Sequence, residues 1–541
     1  MTPETLAAEA TFPRIVPKPS RPSLDAGFDP RTAVAFFGIM IAAMLFIAYN
    51  LYIDVTRSGV TTTTWVPFAL LGVALFIALA FEFVNGFHDT ANAVATVIYT
   101  HSLPANTAVA WSGIFNFLGV LTSSGAVAYG IVALLPAELI LRVGSSADFA
   151  MVFALLLGAI IWNLATWYVG LPASSSHTLI GSIIGVGLAN QLLAPASGAS
   201  GVDWTQAGKV GYSLLLSPLI GFFAAALLLL MLKVVARRPE LYQEPQGATP
   251  PPFWIRGLLI LTCTGVSFAH GSNDGQKGMG LIMLILIGIV PTAYALNRSM
   301  PDSAMQPFLA RAAATADMLD RYGDGQRVDD PAAVIGTYLE TARPDSLVVP
   351  ALAQMTRNIG TQVGQYGSIR QLPADAVENV RNQMFMVSET VRHLLRSRSL
   401  RLEKTDADLL YAFTAQLDTA TRYIPVWVKI VVAIALGLGT MVGWKRIVIT
   451  VGEKIGKSHL TYAQGASAEL VAATTIAAAD MFGMPVSTTQ VLSSGVAGTM
   501  AASRAGLQMA TVRNLMMAWA LTLPAAIVLS GGLFWLFMQL L

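Results

Sequence analysis

Long apolar stretches, separated by short polar ones, run through most of this chain. Runs of about 20 residues, enough to cross a bilayer, cover 33–53, 66–84, 107–135, 149–168, 211–236, 254–271, 278–295, 424–443 and 514–540. Shorter apolar pieces flank the polar motifs between them. Because a chain in lipid must satisfy its backbone polar groups internally, the pattern predicts an all-α polytopic membrane protein with about 10–12 membrane segments, some of them half-helices.

The pattern divides the chain into a tail, two transmembrane parts and an insert. Residues 1–32 contain several prolines and scattered charges without an apolar core, and we predict a disordered tail. The transmembrane parts are 33–295 and 424–541. Between them, 296–423 is polar with nearly balanced opposite charges, and we predict a soluble, mainly helical insert. Its helical spacing is carried by Val380, Met384, Val387, Val391 and Leu394.

Two polar motifs each occur twice, in the same order. An acid motif at 85–93 is followed by a Gly-x-Pro-x-Ser hydroxyl motif at 170–179, and an acid motif at 270–278 is followed by a hydroxyl motif at 483–492. Such duplication within apolar sequence is typical of inverted repeats that build one polar site near the bilayer midplane. It predicts a secondary transporter with discontinuous helices and a polar solute.

Four acids lie in or beside apolar segments: Glu82, Asp89, Asp274 and Glu469. A carboxylate in the hydrocarbon region costs at least ~2.5–3.5 kcal/mol, so each must face the protein interior, a partner or water. Glycines crowd around the two aspartates, and we expect broken helices there, with exposed backbone groups that can coordinate ions.

The hydroxyl motifs predict helix N-termini. Pro172 and Pro485 each stop one helix, and the hydroxyls that follow can cap the next. A helix N-terminus presents free N–H groups and a positive dipole end, which bind anions. Two such termini facing each other would hold a tetrahedral anion from opposite sides. The side chains predicted to line this site are Ser174, Ser175, Ser176, Thr178, Ser487, Thr488, Thr489 and Gln490.

The acids help to distinguish phosphate from sulfate as the anion. A carboxylate repels an anion unless a cation or proton lies between them, or unless the anion can donate a hydrogen bond. Hydrogen phosphate has such a donor and sulfate does not. Uptake of an anion against a negative-inside potential also requires accompanying positive charge, so we expect symport.

These motifs resemble the signature of the inorganic phosphate transporter (Pit) family, Gly-Ala-Asn-Asp-x-Ala-Asn-Ala in each repeat with a Pro-x-Ser-[Ser/Thr]-Thr-like element after it. The resemblance covers 66–295 and 424–540 and is strongest to the bacterial, proton-coupled, low-affinity branch. It implies re-entrant hairpins, often a homodimer, an inner-membrane location, no cofactor, and inorganic phosphate held between the hydroxyl motifs. The matching residues are Gly86, Asp89, Ala91, Asn92, Ala93, Gly271, Asn273 and Asp274.

Two departures from the signature bear on the driving ion. His88 and Lys277 stand where it has asparagines, so one carbonyl ligand for sodium is lost at each place. Lys277 provides either a fixed positive charge or a structural salt bridge to Asp274 or Asp89, and His88, with a reference pKa near 6.5, can carry a proton. We predict proton-coupled import of phosphate, alone or as a neutral complex with Mg²⁺ or another divalent metal. The residues assigned to coupling are Glu82, His88, Asp89, Asn92, Asn273, Asp274 and Lys277.

Three alternatives remain open at this point: a sodium-coupled phosphate symporter, a permease for sulfate or another oxyanion, and a membrane receptor or sensor with the insert as its ligand domain. An enzyme is not expected, because the neighbouring Ser176 and His177 diverge on a helix instead of meeting. With 54% hydrophobic and 12% charged residues, the chain is too apolar for an ordinary soluble protein. Its net charge of +2 without a dense basic run excludes nucleic-acid binding.

Positive charge in short loops predicts the orientation. The 233–256 and 444–458 loops are rich in lysine and arginine, so both should be cytoplasmic. One predicted span separates the second loop from the insert, which should therefore face outward.

Overall fold

In the part of the chain that this computed structural model describes, the regular secondary structure is helical. The described residues are 30–58, 66–134, 146–193, 201–245, 249–341, 345–397 and 399–540, with the isolated positions 22, 24, 247 and 343. Within these ranges the one β-type pairing is an isolated bridge between Gly456 and Leu507. The predicted all-α fold is confirmed, whereas most of the predicted tail lies outside the described residues.

Among the described residues, nine helices precede the insert region. They are α1 Pro30–Arg57, α2 Val66–Tyr99, α3 Ala105–Thr122, α4 Ala126–Val132, α5 Ser146–Tyr168, α6 Ser175–Leu193, α7 Trp204–Val235, α8 Phe253–Ile289 and the short α9 Pro291–Tyr294. The insert region contains α10 Met305–Tyr322, α11 Pro331–Thr341, α12 Val348–Tyr366, α13 Ala374–Ser397 and α14 Lys404–Thr421. After it come α15 Val426–Thr440, α16 Lys445–Ile449, a π-helical turn Thr450–Lys454, α17 Tyr462–Met481, α18 Thr488–Ala502 and α19 Met509–Leu540.

Within the described ranges, six helices are long and apolar enough to cross a membrane. They are α1, α2, the Phe149–Tyr168 part of α5, α7, α8 and α19. Two bent pairs, α3 with α4 at 76° and α14 with α15 at 69°, raise the number to eight if each pair is one broken span. The number of membrane segments predicted from the sequence is higher because it includes shorter or more polar helices such as α6, α17 and α18.

The insert is helical, as its spacing predicts. The five apolar residues that carry this spacing all lie on α13, and none is more than 2% exposed. They pack in a core with residues of the neighbouring insert helices, including Phe308 of α10 and Phe413 of α14. The core of the insert therefore forms from one face of each helix.

Glycines in the acid motifs permit close helix packing and do not break the helices. Gly86 of α2 lies against α15, where an added Cβ would come within 2.4 Å of the Leu436 carbonyl oxygen. Gly271 of α8 lies against α3, where a Cβ would come within 2.1 Å of the Asn116 carbonyl oxygen. Both α2 and α8 run unbroken through their aspartates, so the predicted breaks there were wrong. The chain is interrupted instead at the hydroxyl motifs.

The two helices that begin at the hydroxyl motifs, α6 and α18, pack in a reciprocal arrangement. Helix α6 packs along α19, and helix α18 packs along α7, so each contacts the last long helix of the other half. An added Cβ at Gly185 would lie 2.2 Å from the Ile527 carbonyl oxygen, and one at Gly498 would lie 2.1 Å from that of Phe222. This reciprocal contact brings the two hydroxyl motifs to the centre of the helix assembly.

Candidate functional site

The two hydroxyl motifs form adjacent helix N-termini. Ser174 and Ser487 precede α6 and α18, and the Oγ of each accepts a hydrogen bond at 3.2 Å from the backbone N–H three residues later. Ser176 Oγ donates to the Val486 carbonyl oxygen at 2.8 Å, so the first turn of one helix touches the loop before the other. These are the N-caps that short hydroxyl side chains favour.

Asp89 joins the two hydroxyl motifs. Its Oδ2 accepts a hydrogen bond from Ser175 Oγ at 2.6 Å, and its Oδ1 accepts one from Thr489 Oγ1. The three side chains come from α2, α6 and α18, and none is more than 3% exposed. Hydrogen bonds to an ionised acceptor are about twice as strong as neutral ones. One carboxylate therefore holds both helix N-termini together.

The second acid motif adds an ion pair to the same site. Lys277 Nζ lies 2.7 Å from Asp274 Oδ2 and donates to Ser176 Oγ at 2.5 Å. Ser175 Oγ lies 3.5 Å from Asp274 Oδ2 and therefore stands between the two aspartates. Lys277 and Asp274 are both fully buried. Removing one charge of such a pair would leave the other uncompensated in the interior.

Each aspartate also has a histidine neighbour. His88 Nδ1 lies 3.3 Å from Asp89 Oδ1, and its Nε2 lies 3.2 Å from Thr166 Oγ1. His270 Nε2 lies 3.4 Å from Asp274 Oδ2, and its Nδ1 lies 2.7 Å from the side-chain oxygen of Asn116. Sequence reasoning assigned no role to His270. The signal was present, since His270 precedes Asp274 by four residues and four-residue spacing places side chains on one helix face.

Three of these groups lie close enough to bind one cation. A carboxylate oxygen of Asp89, one of Asp274 and a ring nitrogen of His270 all lie within 4.8 Å of one another. Asp274 Oδ1 is buried and, within the described part of the chain, has no hydrogen-bond partner. The donor set contains a nitrogen, which suits transition metals better than Na⁺ or Mg²⁺, because those ions prefer oxygen ligands.

Several residues assigned from the sequence lie elsewhere or have other partners. Thr178 Oγ1 donates to Asn163 Oδ1 and to the Ser174 carbonyl oxygen, both at 2.9 Å, so it is bonded within the helix pair α5–α6. Asn273 donates from Nδ2 to the Met484 carbonyl oxygen at 3.2 Å and thus supports the loop before α18.

The remaining assigned residues differ in how directly they contact the cluster. Glu82 is fully buried and packs against Gly278, the residue after Lys277. A Cβ added at Gly278 would lie 2.2 Å from Glu82 Cγ. Gln490 is buried in the first turn of α18 and gives its backbone N–H to the cap. Thr488 is buried with an unpartnered Oγ1 among the described residues, so Thr489 and not Thr488 contacts Asp89. The side chain of Asn92 lies outside the described residues.

Sequence reasoning also missed Asp480. This carboxylate at the end of α17 accepts hydrogen bonds from Ser272 Oγ at 2.7 Å and from Gln276 Nε2 at 2.5 Å. Both donors lie in the second acid motif, one turn apart on α8. Asp480 thereby fixes the acid motif to the segment that leads into the second hydroxyl motif.

Comparison with known proteins identifies the family. A family model described as the phosphate transporter family matches residues 85–530. The chain is 43% identical over 498 residues to the low-affinity inorganic phosphate transporter PitA of Escherichia coli K12, which covers 87% of this chain and 97% of that protein. It is 43% identical over 492 residues to PitB of the same organism, with the same coverage.

A third relative and one solved structure extend the comparison. The low-affinity inorganic phosphate transporter of Buchnera aphidicola from Acyrthosiphon pisum is 41% identical over 481 residues, which cover 86% of this chain and 96% of that protein. A solved structure titled as the sodium-dependent phosphate transporter aligns with 87% of this chain and 100% of its own at 20% identity and a TM-score of 0.48, too distant to say anything about coupling here. The relatives are transporters, and the prediction that the chain is not an enzyme is confirmed. With a family match over most of its length and relatives of this identity, the chain belongs to the phosphate transporter family.

Proposed function

We propose that the chain is a secondary symporter that imports inorganic phosphate together with protons. The observation that supports this most directly is the position of Asp89, which accepts hydrogen bonds from Ser175 of one hydroxyl motif and Thr489 of the other. The donors that would bind a phosphate are therefore occupied by a carboxylate. Phosphate and the ionised Asp89 compete for the same hydroxyl groups.

A proton on Asp89 would resolve this competition. With both aspartates ionised and Lys277 charged, the cluster carries a net charge of −1 (two carboxylates and one ammonium) and repels an entering anion. Protonation of Asp89 brings the net charge to zero and weakens its hold on Ser175 and Thr489. Proton binding and phosphate binding then favour each other, because a coupling free energy between two ligands is reciprocal.

Lys277 gives the site a fixed positive charge. Its ammonium lies 2.5 Å from Ser176 Oγ, within the first turn of α6. An anion bound at that helix terminus would meet the ammonium, the hydroxyl groups and the free backbone N–H groups together. Asp274 keeps the ammonium in place through its 2.7 Å contact.

The same residues favour protons over sodium as the driving ion. The side chains of His88 and Lys277 offer no carbonyl oxygen, and the His270 nitrogen and the Lys277 ammonium both lie against Asp274 Oδ2. Sodium and magnesium bind through oxygen ligands. The Asp89–His270–Asp274 cluster supports one variant of the proposal, in which phosphate enters as a neutral complex with a divalent metal.

Two wider features belong to this proposal. The reciprocal packing of α6 on α19 and α18 on α7 supports two inverted repeats. The loop charges support an outer position for the insert, and the family resemblance supports an inner-membrane location and a homodimer.

Counterflow in proteoliposomes tests the transport activity. Vesicles loaded with unlabelled phosphate should accumulate external labelled phosphate transiently, and unlabelled sulfate should not support this exchange. A receptor or sensor would show no counterflow. Equal exchange with sulfate would favour a general oxyanion permease.

A further inference from the structure

A cavity of about 720 Å³ lies between the insert and the transmembrane helices. Its walls come from α4, the first turns of α7 and helix α13 of the insert, and its floor is the loop 483–485 before α18. None of the residues assigned to coupling or to the hydroxyl site lines it. The cavity is therefore separate from the site described above.

Positive side chains predominate in the walls of this cavity. The charged residues that line it are Lys209, Arg392, Arg396 and Arg422 against Asp203 and Glu389, a net charge of +2 (4 − 2), which becomes +1 (4 − 3) when Asp418, the partner of Arg392 beside the cavity, is included. The imidazole of His393 lies among them. Such a concave surface raises the local concentration of anions.

Two of these cations are free to meet a ligand. Arg422 pairs with Glu389 at 3.2 Å, and Arg392 pairs with Asp418 at 2.5 Å, so their charge is compensated within the insert. Lys209 and Arg396, in contrast, form no ion pair within the described part of the chain, and Arg396 is exposed. They come from two different helices that line the cavity, Lys209 from α7 and Arg396 from α13.

The loop 483–485 that lines the cavity also contacts residues of the candidate site. Asn273 of the second acid motif donates to the Met484 carbonyl oxygen at 3.2 Å from the other side of this loop. Ser176, which contacts Lys277, donates to the carbonyl oxygen of Val486 immediately after it. An anion in the cavity is thus separated from the candidate site by the turn that precedes α18.

We propose that this cavity is a capture site for tetrahedral oxyanions, in which Lys209 and Arg396 hold inorganic phosphate before it reaches the hydroxyl motifs. The proposal rests on the phosphate transport proposed above and gives the insert a role, since the insert supplies one of the two cations. The guanidinium of Arg396 suits a phosphate because it can donate two parallel hydrogen bonds. The cavity is open, so the capture site binds weakly and raises the rate of entry.

A thiol probe measures the charge in the cavity independently of transport. Ala133 lines the cavity, and the one native cysteine, Cys263, is buried. In an Ala133→Cys variant, rates of modification by an anionic and a cationic methanethiosulfonate are compared with and without Lys209→Gln and Arg396→Gln. The anionic-to-cationic rate ratio should fall roughly threefold or more at low salt when the two cations are removed. An unchanged ratio would refute the capture site even if phosphate transport is intact.

Protection experiments identify the ligand. Inorganic phosphate should slow modification of the Ala133→Cys thiol by the anionic reagent, whereas chloride at equal ionic strength should not. The protein is held in phosphatidylcholine bilayers with or without phosphatidylglycerol. Protection by phosphatidylglycerol alone would assign the cavity to a lipid headgroup and overturn the proposal.

Uptake kinetics provide the functional readout. The Lys209→Gln/Arg396→Gln variant should raise the KM for phosphate about threefold at low ionic strength with the maximal rate unchanged, and the difference should vanish at high salt. The control is Arg327→Gln, which removes an exposed insert arginine outside the cavity and should leave KM unchanged. A fall in maximal rate at constant KM would contradict a capture role. Absence of uptake in the wild type would refute the proposed function, while the thiol result would still decide the charge of the cavity.

Discussion

Ser175 donates a hydrogen bond to Asp89 at 2.6 Å and thereby connects the first turn of α6 to the middle of α2. Thr489 reaches the other oxygen of the same carboxylate from α18. The acid and hydroxyl motifs, which lie far apart in the sequence, thus form one buried cluster. The cluster places an ionisable group directly on the donors that an anion needs.

Loss of either hydroxyl group should weaken phosphate transport. Ser175→Ala and Thr489→Ala each remove a hydrogen bond to a charged group, worth about 1.5–3 kcal/mol, and each removes a donor for phosphate. We expect kcat/KM for uptake to fall roughly 10-fold or more in each variant. Labelled phosphate uptake in proteoliposomes measures this.

A matched pair of threonines sharpens that test. Thr488→Ala should have a smaller effect than Thr489→Ala, because Thr489 Oγ1 donates a hydrogen bond to Asp89 and Thr488 Oγ1 does not. Thr474→Ala, at an exposed position of α17, serves as the control for substitution in a membrane helix. If phosphate uptake fell more in Thr488→Ala than in Thr489→Ala, the hydroxyl group bonded to Asp89 would not be the one that transport requires.

Asp89→Asn should separate exchange from net transport. The amide cannot take up a proton, so the variant should retain counterflow of labelled phosphate but lose accumulation driven by a pH gradient. Both activities are measured on the same proteoliposome preparation. Retained gradient-driven accumulation would place the coupling proton on another group.

Lys277→Met should destabilise the protein by about 3–5 kcal/mol, since it leaves the buried carboxylate of Asp274 unpaired. The double variant Lys277→Met/Asp274→Asn should recover most of this stability without recovering transport. Thermal unfolding in detergent gives the stabilities. If the double variant were as unstable as Lys277→Met alone, loss of the ion pair would not explain the loss of stability.

Gly271→Ala should disturb the helix contact that positions the second acid motif. The added methyl group would come within 2.1 Å of the Asn116 carbonyl oxygen, and overpacking of this kind costs about 1–3 kcal/mol. Gly257→Ala on the same helix α8 is the control, because no heavy atom lies within 4 Å of the added carbon. Thermal stability should fall in the first variant and stay equal or rise in the second.

The sequence predicts much of this site because its motifs are duplicated. The pairing of acid and hydroxyl motifs indicates that Asp89, Asp274, Ser175 and Thr489 belong together, and they do meet. The predicted helix breaks at the aspartates were wrong. Glycine can mark either a helix break or a close helix contact, and here, as at Gly86, it marks a close contact.

Contacts that depend on helix rotation could not be predicted. Whether Thr488 or Thr489 reaches Asp89 depends on the direction in which α18 starts, and neighbouring hydroxyl residues look alike in a sequence. Whether Lys277 forms its ion pair with Asp274 or with Asp89 depends on helix rotation in the same way. The cavity that contains Lys209 and Arg396 is lined by α7 and α13, and no local sequence pattern indicates that these two helices line one cavity.

Proton entry coupled to phosphate tests the central claim most directly. Sodium-free proteoliposomes with a pH-sensitive dye inside and the membrane potential clamped receive a pulse of external phosphate. We predict acidification of the interior that follows phosphate uptake in the wild type and is absent in Asp89→Asn. Phosphate uptake without acidification, or uptake only when sodium is added, would contradict the account.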